Sequence, residues 1–369
     1  MTLELRFLPA RQGDAIWIRW GTGRQLLIDM GTEETGLALR KKLAALPKKD
    51  KDFDLLVVTH VDSDHIGGVL TAIADAPEIP HLVFDDVWFN GWDHLNSRSV
   101  TTSPGGLQPM GPAQGERLSD WLEGQHWNRA FGGAAAVRGD LKPVALPQGL
   151  TLTVISPTQK RLARLIPEWK AVLEEALEPG ASEHEGDLEP MGATAPPVLD
   201  STGDLLALAE DRASADTSPS NGASICLLLE WKGRRVLLTG DGFGADIAEG
   251  LKELGRARPD LRDDTGRIRV DVVKLPHHGS RRNVTRGFVE ALTCPYWVFS
   301  SDGTTFRHPD AVAIARVLQY SGVTRPTLAF NLPSEFNAWW KNPQWRRRFG
   351  YSVKFGSRTN GLTVTLDAD

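Results

Sequence analysis

The chain has 369 residues, of which 41% are hydrophobic and 24% are charged, and its formal net charge is −5 at pH 7. This composition is that of a globular protein and excludes a disordered chain, a collagen and a coiled coil. The charge disfavours a protein that binds nucleic acid over its whole surface, and two cysteines exclude a disulfide scaffold or a four-cysteine zinc site. The chain has no apolar run of about 18 residues and no pattern of a signal peptide, so we expect a cytoplasmic protein without membrane contact.

The first third of the chain alternates short apolar runs with glycine-rich turns, a pattern that predicts short strands joined by tight turns. The predicted elements are strands at residues 3–8, 15–18 and 25–29, a helix at 35–46 and a buried strand at 54–59. The middle is less regular: residues from about 90 to 150 are rich in glycine and tryptophan, and we interpret them as an insertion.

Regular patterns return with a strand at 150–155 and a helix at 166–177. Residues from about 178 to 220 are acidic and rich in Ala, Gly, Pro and Ser, which predicts an exposed or flexible insertion with a short helix at 204–213. The remaining predicted elements are a hairpin at 224–231 and 235–239, helices at 245–254 and 310–320, and strands at 269–275, 296–300 and 361–366. No repeat or hinge divides the chain, so we expect one domain over 1–369.

The strongest chemical signal follows directly after the predicted strand at 54–59. Four potential metal ligands, His60, Asp62, Asp64 and His65, fall within six residues. Imidazole and carboxylate together suit Zn²⁺, Mn²⁺ or iron, and the two glycines that follow let a helix start close to the bound ion. The alternative is a polar loop with solvated acidic side chains.

This segment resembles the metal-binding signature of the metallo-β-lactamase fold, His-x-His-x-Asp-His. It is closer to the variant His-x-Asp-x-Asp-His-x-Gly-Gly, which is typical of the soluble hydrolase domain of ComEC, the competence DNA-uptake channel, and of its stand-alone relatives. Further matches follow in the order of that family: Gln12-Gly13-Asp14-Ala15, Leu27-Ile28-Asp29-Met30-Gly31, Ser220-Asn221-Gly222-Ala223-Ser224, Leu237-Leu238-Thr239-Gly240-Asp241, Lys274-Leu275-Pro276-His277-His278-Gly279-Ser280 and Arg307-His308-Pro309. The resemblance implies an α+β four-layer αββα sandwich of the metallo-β-lactamase fold.

The resemblance also implies a site with two divalent metal ions, Zn or Mn. In that site one metal is held by His60 and Asp62, and the other by Asp64 and His65. The remaining implied roles are Asp241 as the ligand that bridges both metals, His277 as the preferred further ligand, and His278 and His308 as ligands or as contacts to the leaving group. The candidate catalytic residues are Asp64, His278 and His308. Two such cations stabilise an in-line displacement, and Asp64 can take a proton from the attacking water.

Two departures from the family pattern affect the metal. Asp62 stands where most of the superfamily has histidine, and its harder oxygen makes Mn²⁺ more plausible beside Zn²⁺. The usual isolated histidine before Asp241 has no clear counterpart. His94 is the most interesting of the histidines in that interval, but a surface or core position is the commoner role for such a residue and the one that we favour. Asp14 and Asp29 either orient metal-bound histidines or cap turns.

Two further segments have alternative interpretations. Ser280 is expected to cap a helix, and Arg281, Arg282 and Asn283 after it form either an anion site or a solvated basic surface. Residues 339–349 are basic and rich in tryptophan, so they either stack on nucleic-acid bases or pack on the sandwich, and we favour packing. Both cysteines, Cys226 and Cys294, are expected in the core.

These observations together predict a metal-dependent hydrolase, and a phosphodiesterase or nuclease is the sharpest version. One alternative is an esterase for small phosphodiesters of the phosphorylcholine type. Another is an effector of a bacterial defence system that stays idle until a protein partner opens its site, with residues 178–220 as the lid or the docking segment. The lack of a secretion signal argues against β-lactamase activity.

Overall fold

The computed structural model describes residues 1–97, 112–175 and 191–368. The strands, in chain order, are β1 (Thr2–Phe7), β2 (Ala15–Trp20), β3 (Arg24–Met30), β4 (Asp52–Phe53), β5 (Leu55–Val57), β6 (Val83–Phe84), β7 (Val87–Trp88), β8 (Val144–Ala145), β9 (Thr151–Ser156), β10 (Cys226–Trp231), β11 (Arg234–Leu238), β12 (Ile268–Arg269), β13 (Val272–Lys274), β14 (Leu292–Thr293), β15 (Tyr296–Phe299), β16 (Thr327–Phe330), β17 (Ser352–Phe355) and β18 (Leu362–Asp367). The helices are α1 (Glu33–Ala44), α2 (Ser63–Val69), α3 (Trp92–Leu95), α4 (Pro112–Leu122), α5 (Gln159–Leu162), α6 (Ile166–Glu175), α7 (Thr202–Ala209), α8 (Pro219–Gly222), α9 (Gly244–Ala257), α10 (Arg286–Glu290), α11 (Ala311–Tyr320), α12 (Glu335–Ala338) and α13 (Pro343–Arg348).

Two large mixed sheets form the centre of the molecule. The first has six strands in the order β18-β1-β2-β3-β5-β7, and the second has eight in the order β17-β16-β15-β13-β11-β10-β9-β8. Antiparallel pairing at the β1–β2–β3 end of the first sheet gives way to parallel pairing at β3–β5–β7. The second sheet changes in the same way between β11 and β13. The parallel strands of both sheets end at the loops that carry the predicted metal ligands.

Alternation along the strands divides the core into three layers of side chains. Leu3 and Leu5 of β1 and Leu227 and Leu229 of β10 are buried together between the sheets. The outer face of the second sheet packs against helices such as α9, where Ile247 and its neighbours at helical spacing are buried. The outer face of the first sheet packs against α1, α2, α4 and α6. The predicted four-layer αββα sandwich is therefore confirmed.

Most of the predicted elements are present, but the chain also forms elements that the sequence did not predict, such as β16 and β17 of the second sheet. The strand expected at 269–275 is two short strands, β12 and β13, which belong to different sheets. No helix starts after Ser280; the next helix is α10, which Thr285 caps by accepting from the backbone N–H of Phe288. Segment 112–150 is also regular in part: α4 packs against α6 and buries Leu118.

Part of the acidic segment packs closely against the protein, contrary to the expectation of an exposed or flexible insertion. Residues 178–190 lie outside the described residues, but α7 in the second half packs against α11 and buries Leu205 and Ala209. Ser201 and Asp204 form a capping box that fixes the start of α7. The low average hydropathy of the segment predicted exposure, although these few apolar residues are enough to pack α7 against the protein.

The aromatic C-terminal segment and the cysteines are packed as expected. Trp340 is fully buried and contacts Trp345 and Tyr351. Cys226 and Cys294 are buried free thiols. In the described part of the chain, no helix combines the length and apolar character required to span a bilayer.

Candidate metal centre

The site lies where the two sheets meet at their loop edge. His60 follows β5, and His65 lies in the first turn of α2, with the two ring centroids 4.2 Å apart. Asp241 follows β11 in the other sheet, and its carboxylate joins His60 and His65 in a group whose ligand atoms lie within 4.8 Å of one another. Parallel strands thus bring together residues that are about half the chain apart in sequence.

A second group of ligand atoms shares His65. Asp64, His65 and His278 also offer atoms within 4.8 Å of one another. His278 lies in the short turn Pro276–Gly279 after β13, and its Nε2 is 3.5 Å from Asp64 Oδ2. The two groups are adjacent, because Asp241 Oδ2 lies 3.2 Å from His278 Nε2 and 3.3 Å from His65 Nε2.

Hydrogen bonds at Nδ1 fix the orientation of the His60 and His65 rings. His65 Nδ1 donates to Asp29 Oδ2 at 2.8 Å. Thr59 donates its hydroxyl proton to the same carboxylate oxygen at 2.7 Å. Because that proton is already used, Thr59 Oγ1 is the acceptor in its 3.0 Å hydrogen bond with His60 Nδ1. Asp29 therefore orients a histidine of the candidate site, one of the two roles proposed for it from the sequence.

His278 is held in the same way by the second sheet. Its Nδ1 donates to the backbone carbonyl of Ser300 at 2.8 Å. Ser224 connects the sheets, since its Oγ accepts from the backbone N–H of Asp241 at 3.0 Å and lies 3.3 Å from His60 Nδ1. With Nδ1 engaged on every ring, His60, His65 and His278 each present Nε2 as the remaining ring nitrogen.

The buried polar atoms of this centre fit a bound divalent metal. The Nε2 atoms of His60, His65 and His278 are buried and make no hydrogen bond within residues 1–97, 112–175 and 191–368. Leaving such atoms unsatisfied costs about 1–3 kcal/mol each, and a cation would relieve that cost. Three imidazole nitrogens with the carboxylates of Asp64 and Asp241 are a donor set that suits Zn²⁺ or Mn²⁺.

Charges in the centre stabilise one another without a metal. Burial acts to raise the pKa of Asp241, but His278 and His65 outweigh it and hold that pKa well below its usual value. Burial likewise opposes protonation of His278, yet Asp241 and Asp64 raise its pKa to about 9. The pKa of Asp64 is lowered, because His65 and His278 outweigh the effect of its burial. A metal that binds here must therefore displace protons.

Three residues expected at the metals lie beside these groups rather than within them. Asp62 is at the N-terminus of α2; its carboxylate is 3.4 Å from His60 Nε2 and its side chain is 38% exposed. His277 Nε2 is 3.9 Å from Asp241 Oδ2, and its Nδ1 faces Asn283 at 3.2 Å. His308 is buried against His277, with ring centroids 5.7 Å apart. Among the described residues, the ligand groups contain His278 instead of His277.

His94 does not supply the missing histidine. Its Nδ1 accepts from the backbone N–H of Gly91 at 3.0 Å, and its Nε2 donates to the carbonyl of Gly133 at 3.1 Å. Burial lowers the pKa of His94 to about 4, which keeps the ring neutral. His94 thus joins two parts of the segment at 90–150 and has a structural role.

Backbone strain is concentrated next to the ligands. His277 and His278 are consecutive residues with φ of 47° and 55°, a conformation that costs about 1–3 kcal/mol in a residue other than glycine. Gly279 continues the left-handed path with φ of 92°, and a Cβ there would lie 2.8 Å from Phe299 and Pro309. This path turns His278 towards Asp241, while His277 turns towards Asn283.

Sequence reasoning missed Lys274, a fully buried lysine at the end of β13. Its ammonium pairs with the Asp14 carboxylate and donates to the carbonyl of Gly240 at 2.9 Å. Burial acts to lower the pKa of Lys274, but Asp14 and Asp241 outweigh it and raise that pKa. A single charged residue in the apolar run Val272–Leu275 was the available signal. Asp14 is therefore the ion-pair partner of Lys274, and its Oδ1 is 3.8 Å from His278 Nδ1.

The acidic segment also reaches the edge of the centre. Asp216 is buried, and its Oδ2 accepts from Asn221 Nδ2 at 2.8 Å and from Asn283 Nδ2 at 2.9 Å. The same oxygen lies 3.5 Å from His277 Nδ1. Next to Asp216 is a cavity of about 160 Å³ whose lining includes three arginines, Arg161, Arg164 and Arg282.

Comparison with known protein families finds a match that covers part of the chain. Residues 8–147 match the family model of the metallo-beta-lactamase superfamily. The match contains Asp29, His60 and His65 and ends before Asp241 and His278. No curated protein matches the chain.

Several solved structures are similar to the chain at low identity. A mutant of the CmlA beta-hydroxylase shares 12% identity at a TM-score of 0.38, over 99% of this chain and 53% of that one. A diphosphatase from the PhnP family shares 10% identity at a TM-score of 0.39, over 99% and 98% of the two chains. Zn²⁺-bound PqqB from Methylobacterium extorquens shares 12% identity at a TM-score of 0.43, over 99% and 100%.

These identities and TM-scores are too low to transfer an activity, and the chain spans about half the length of the hydroxylase. The four-layer sandwich and the motif at its loop edge agree with the matched family. The chain has the metallo-β-lactamase fold, and its residues 8–147 match the metallo-beta-lactamase superfamily.

Proposed function

We propose that this protein is a metal-dependent hydrolase that cleaves phosphodiester bonds, with nucleic acid as the preferred substrate class. The observation that carries the proposal is the pair of adjacent ligand groups that share His65, in which buried imidazole nitrogens and carboxylate oxygens face one another. Two divalent cations held in this way would supply a hydroxide at neutral pH and would stabilise an in-line displacement at phosphorus.

The residues of the chain have separate tasks in this proposal. His60, His65 and His278 would hold the cations through Nε2, and Asp241 Oδ2 lies between the histidines from both sheets. Asp64 is the candidate to accept a proton from the attacking water, because its carboxylate belongs to the second ligand group and its side chain is 15% exposed. His277 and His308, which lie in contact at the edge of the centre, are placed to reach a leaving group.

The charge of the neighbouring cavity supports an anionic substrate. Arg164 is exposed at its rim, and Arg282 lines its wall with a buried Nε that makes no hydrogen bond to a described residue. Arg161 contributes less positive charge, because it forms an ion pair with Asp246. Guanidinium groups beside a hydrolytic centre suit the phosphates that flank a cleaved bond in a nucleic acid.

The test combines metal content with hydrolysis of bis-p-nitrophenyl phosphate in added Mn²⁺ or Zn²⁺. We expect about two metals per chain and metal-dependent turnover, both lost in Asp241→Asn. Asp140→Asn is the matched control, because Asp140 is exposed and 61% of its side chain is accessible. Full activity of folded Asp241→Asn would overturn the proposal, and bound metal without turnover of any phosphodiester would favour a partner-gated effector.

A further inference from the structure

The Lys274 ammonium lies inside the cluster of acidic residues around the metal centre. Its side chain is completely buried, and its Nζ lies near acceptors from two loops, the one after β1 and the one after β11. The acceptors are the Asp14 carboxylate, the carbonyl of Gly240 at 2.9 Å and Asp241 Oδ1 at 3.6 Å. The Asp14 and Gly240 oxygens lie within hydrogen-bond distance of the ammonium, and Asp241 Oδ1 is close enough for an ion pair.

This position bears on a third group of possible metal ligands. Asp14, Asp241 and His278 offer atoms within 4.8 Å of one another, which is a spacing that suits a cation. Lys274 contacts both carboxylates of that group, and therefore a positive charge is already supplied there by the protein. A further divalent ion at this place would meet the ammonium at close range, and the repulsion between them would be large in a buried site.

Lys274 also distinguishes the two oxygens of Asp241. Oδ1 faces the ammonium, whereas Oδ2 lies 3.3 Å from His65 Nε2 and 3.2 Å from His278 Nε2. The backbone of Asp241 is fixed separately, because its N–H donates to Ser224. With one oxygen directed at Lys274, the carboxylate presents a single oxygen to the histidines of both sheets.

We propose that Lys274 is a positioning residue that directs Asp241 Oδ2 into the metal centre and keeps the Asp14–Asp241–His278 group free of metal. The proposal rests on the metal centre of the proposed function but not on the bond that the enzyme cleaves. Removal of the ammonium leaves two buried carboxylates without their cation and frees the Asp241 carboxylate to rotate. The Asp14 group then becomes open to a metal.

The test is titration of metal-free protein with Co²⁺, whose visible absorption bands report the number and type of its ligands. We expect Lys274→Met to bind about one more Co²⁺ per chain than the wild type, with a spectrum changed towards oxygen-rich coordination. The double variant Asp14→Asn/Lys274→Met removes both charges of the ion pair. It should return to the wild-type stoichiometry but keep an altered spectrum, because Asp241 is still not held.

Lys252→Met on α9 is the control, because Lys252 is exposed and its substitution removes the same charge at the surface. Folded Lys274→Met with the stoichiometry and spectrum of the wild type would overturn the proposal. If Lys274→Met does not fold, a wild-type spectrum in the double variant would overturn it instead. Wild-type protein that takes up no Co²⁺ would refute both the metal centre and the role of Lys274, whereas unchanged variants refute only the latter.

Discussion

Asp29 Oδ2 accepts a hydrogen bond from His65 Nδ1 at 2.8 Å, and neither side chain is exposed to solvent. The backbone at Asp29 has φ of 51°, which is uncommon for a residue other than glycine. Its other oxygen accepts from the backbone N–H of Thr59 at 2.8 Å. One carboxylate thus fixes the end of strand β5 and the ring of a candidate metal ligand together.

We predict that Asp29→Asn weakens metal binding by about 10- to 100-fold, because the amide provides a poorer acceptor for His65 Nδ1–H. Competition with a chromogenic chelator measures the affinity. Asp85→Asn is a suitable control, since Asp85 is 59% exposed. An affinity within about twofold of the wild type would contradict this role of Asp29.

The adjacent residues His277 and His278 have different positions relative to the candidate ligand groups, which include only His278 of the two. We predict that His278→Ala loses bound metal, because it removes a ring nitrogen from a ligand group, while His277→Ala retains its metal and loses turnover. Elemental mass spectrometry of both purified variants checks the first part, and hydrolysis assays check the second. Equal loss of metal from both variants would show that His277 is a ligand.

Asp62→Asn should have a smaller effect on metal content than His60→Ala. Asp62 is partly exposed and lies outside the ligand groups, whereas His60 is buried and turns its Nε2 inward. The measurement is the amount of metal retained after dialysis against a weak chelator. Complete loss of one metal in Asp62→Asn would restore the ligand role that the sequence predicted for it.

Metal affinity is expected to rise with pH up to about pH 9. In the metal-free protein the pKa of His278 is about 9, so the ring is protonated at neutral pH and loses that proton when metal binds. The apparent affinity should increase by about tenfold per pH unit for each proton displaced, and His65, whose pKa is raised against the effect of burial by Asp241 and Asp29, adds to this dependence. Calorimetric titrations in buffers with different ionisation enthalpies count the protons, and the absence of proton release at pH 7 would contradict the argument.

His94 predicts a separate pH dependence, in protein stability. Its pKa is about 4 in the folded protein and near 6.5 in an unfolded chain, so the unfolded state takes up a proton first as the pH falls. The free energy of unfolding should therefore be unaffected by His94 above pH 6.5 and fall by about 3 kcal/mol as the pH drops to 4. Urea unfolding of the wild type and of His94→Asn measures the difference, and equal slopes with pH in both would refute it.

The arginine-lined cavity separates the two enzyme hypotheses. We predict that Arg282→Ala and Arg164→Ala raise KM for a single-stranded oligonucleotide several-fold, with little change in hydrolysis of bis-p-nitrophenyl phosphate, which has no flanking phosphates. Arg286→Ala is the control, because Arg286 is exposed and pairs with Glu290 within α10. Equal effects on both substrates would favour an esterase for small phosphodiesters.

The sequence was informative where ligands lie close together along the chain. His60, Asp64 and His65 follow a short buried strand, and their concentration there predicted a metal site that the geometry supports. The sequence was less informative for consecutive residues whose side chains point in different directions. Only the left-handed backbone at His277 and His278 decides which ring faces Asp241, and no local pattern predicts that path.

The missed residues are those that act through tertiary contacts. Lys274 and Asp14 are far apart in the sequence, and each has an ordinary local interpretation until β13 and the loop after β1 meet. Asp216 was placed in a flexible segment, because composition reports average hydropathy and not the single hydrogen bonds to Asn221 and Asn283 that hold it. These contacts depend on how the two sheets pack, which the sequence alone does not reveal.

The candidate ligands are divided between the two sheets, with His60 and His65 on the first and Asp241 and His278 on the second. A cation bound by both pairs is therefore a cross-link between the two layers, which adds to their apolar core and to the polar contacts of Ser224 and Lys274. Its binding energy opposes separation of the sheets, so resistance to unfolding should increase with the concentration of free metal. Fragments that end and begin near residue 191 would each carry half of the ligands, and recovery of tight metal binding on mixing would report that the sheets have reassembled.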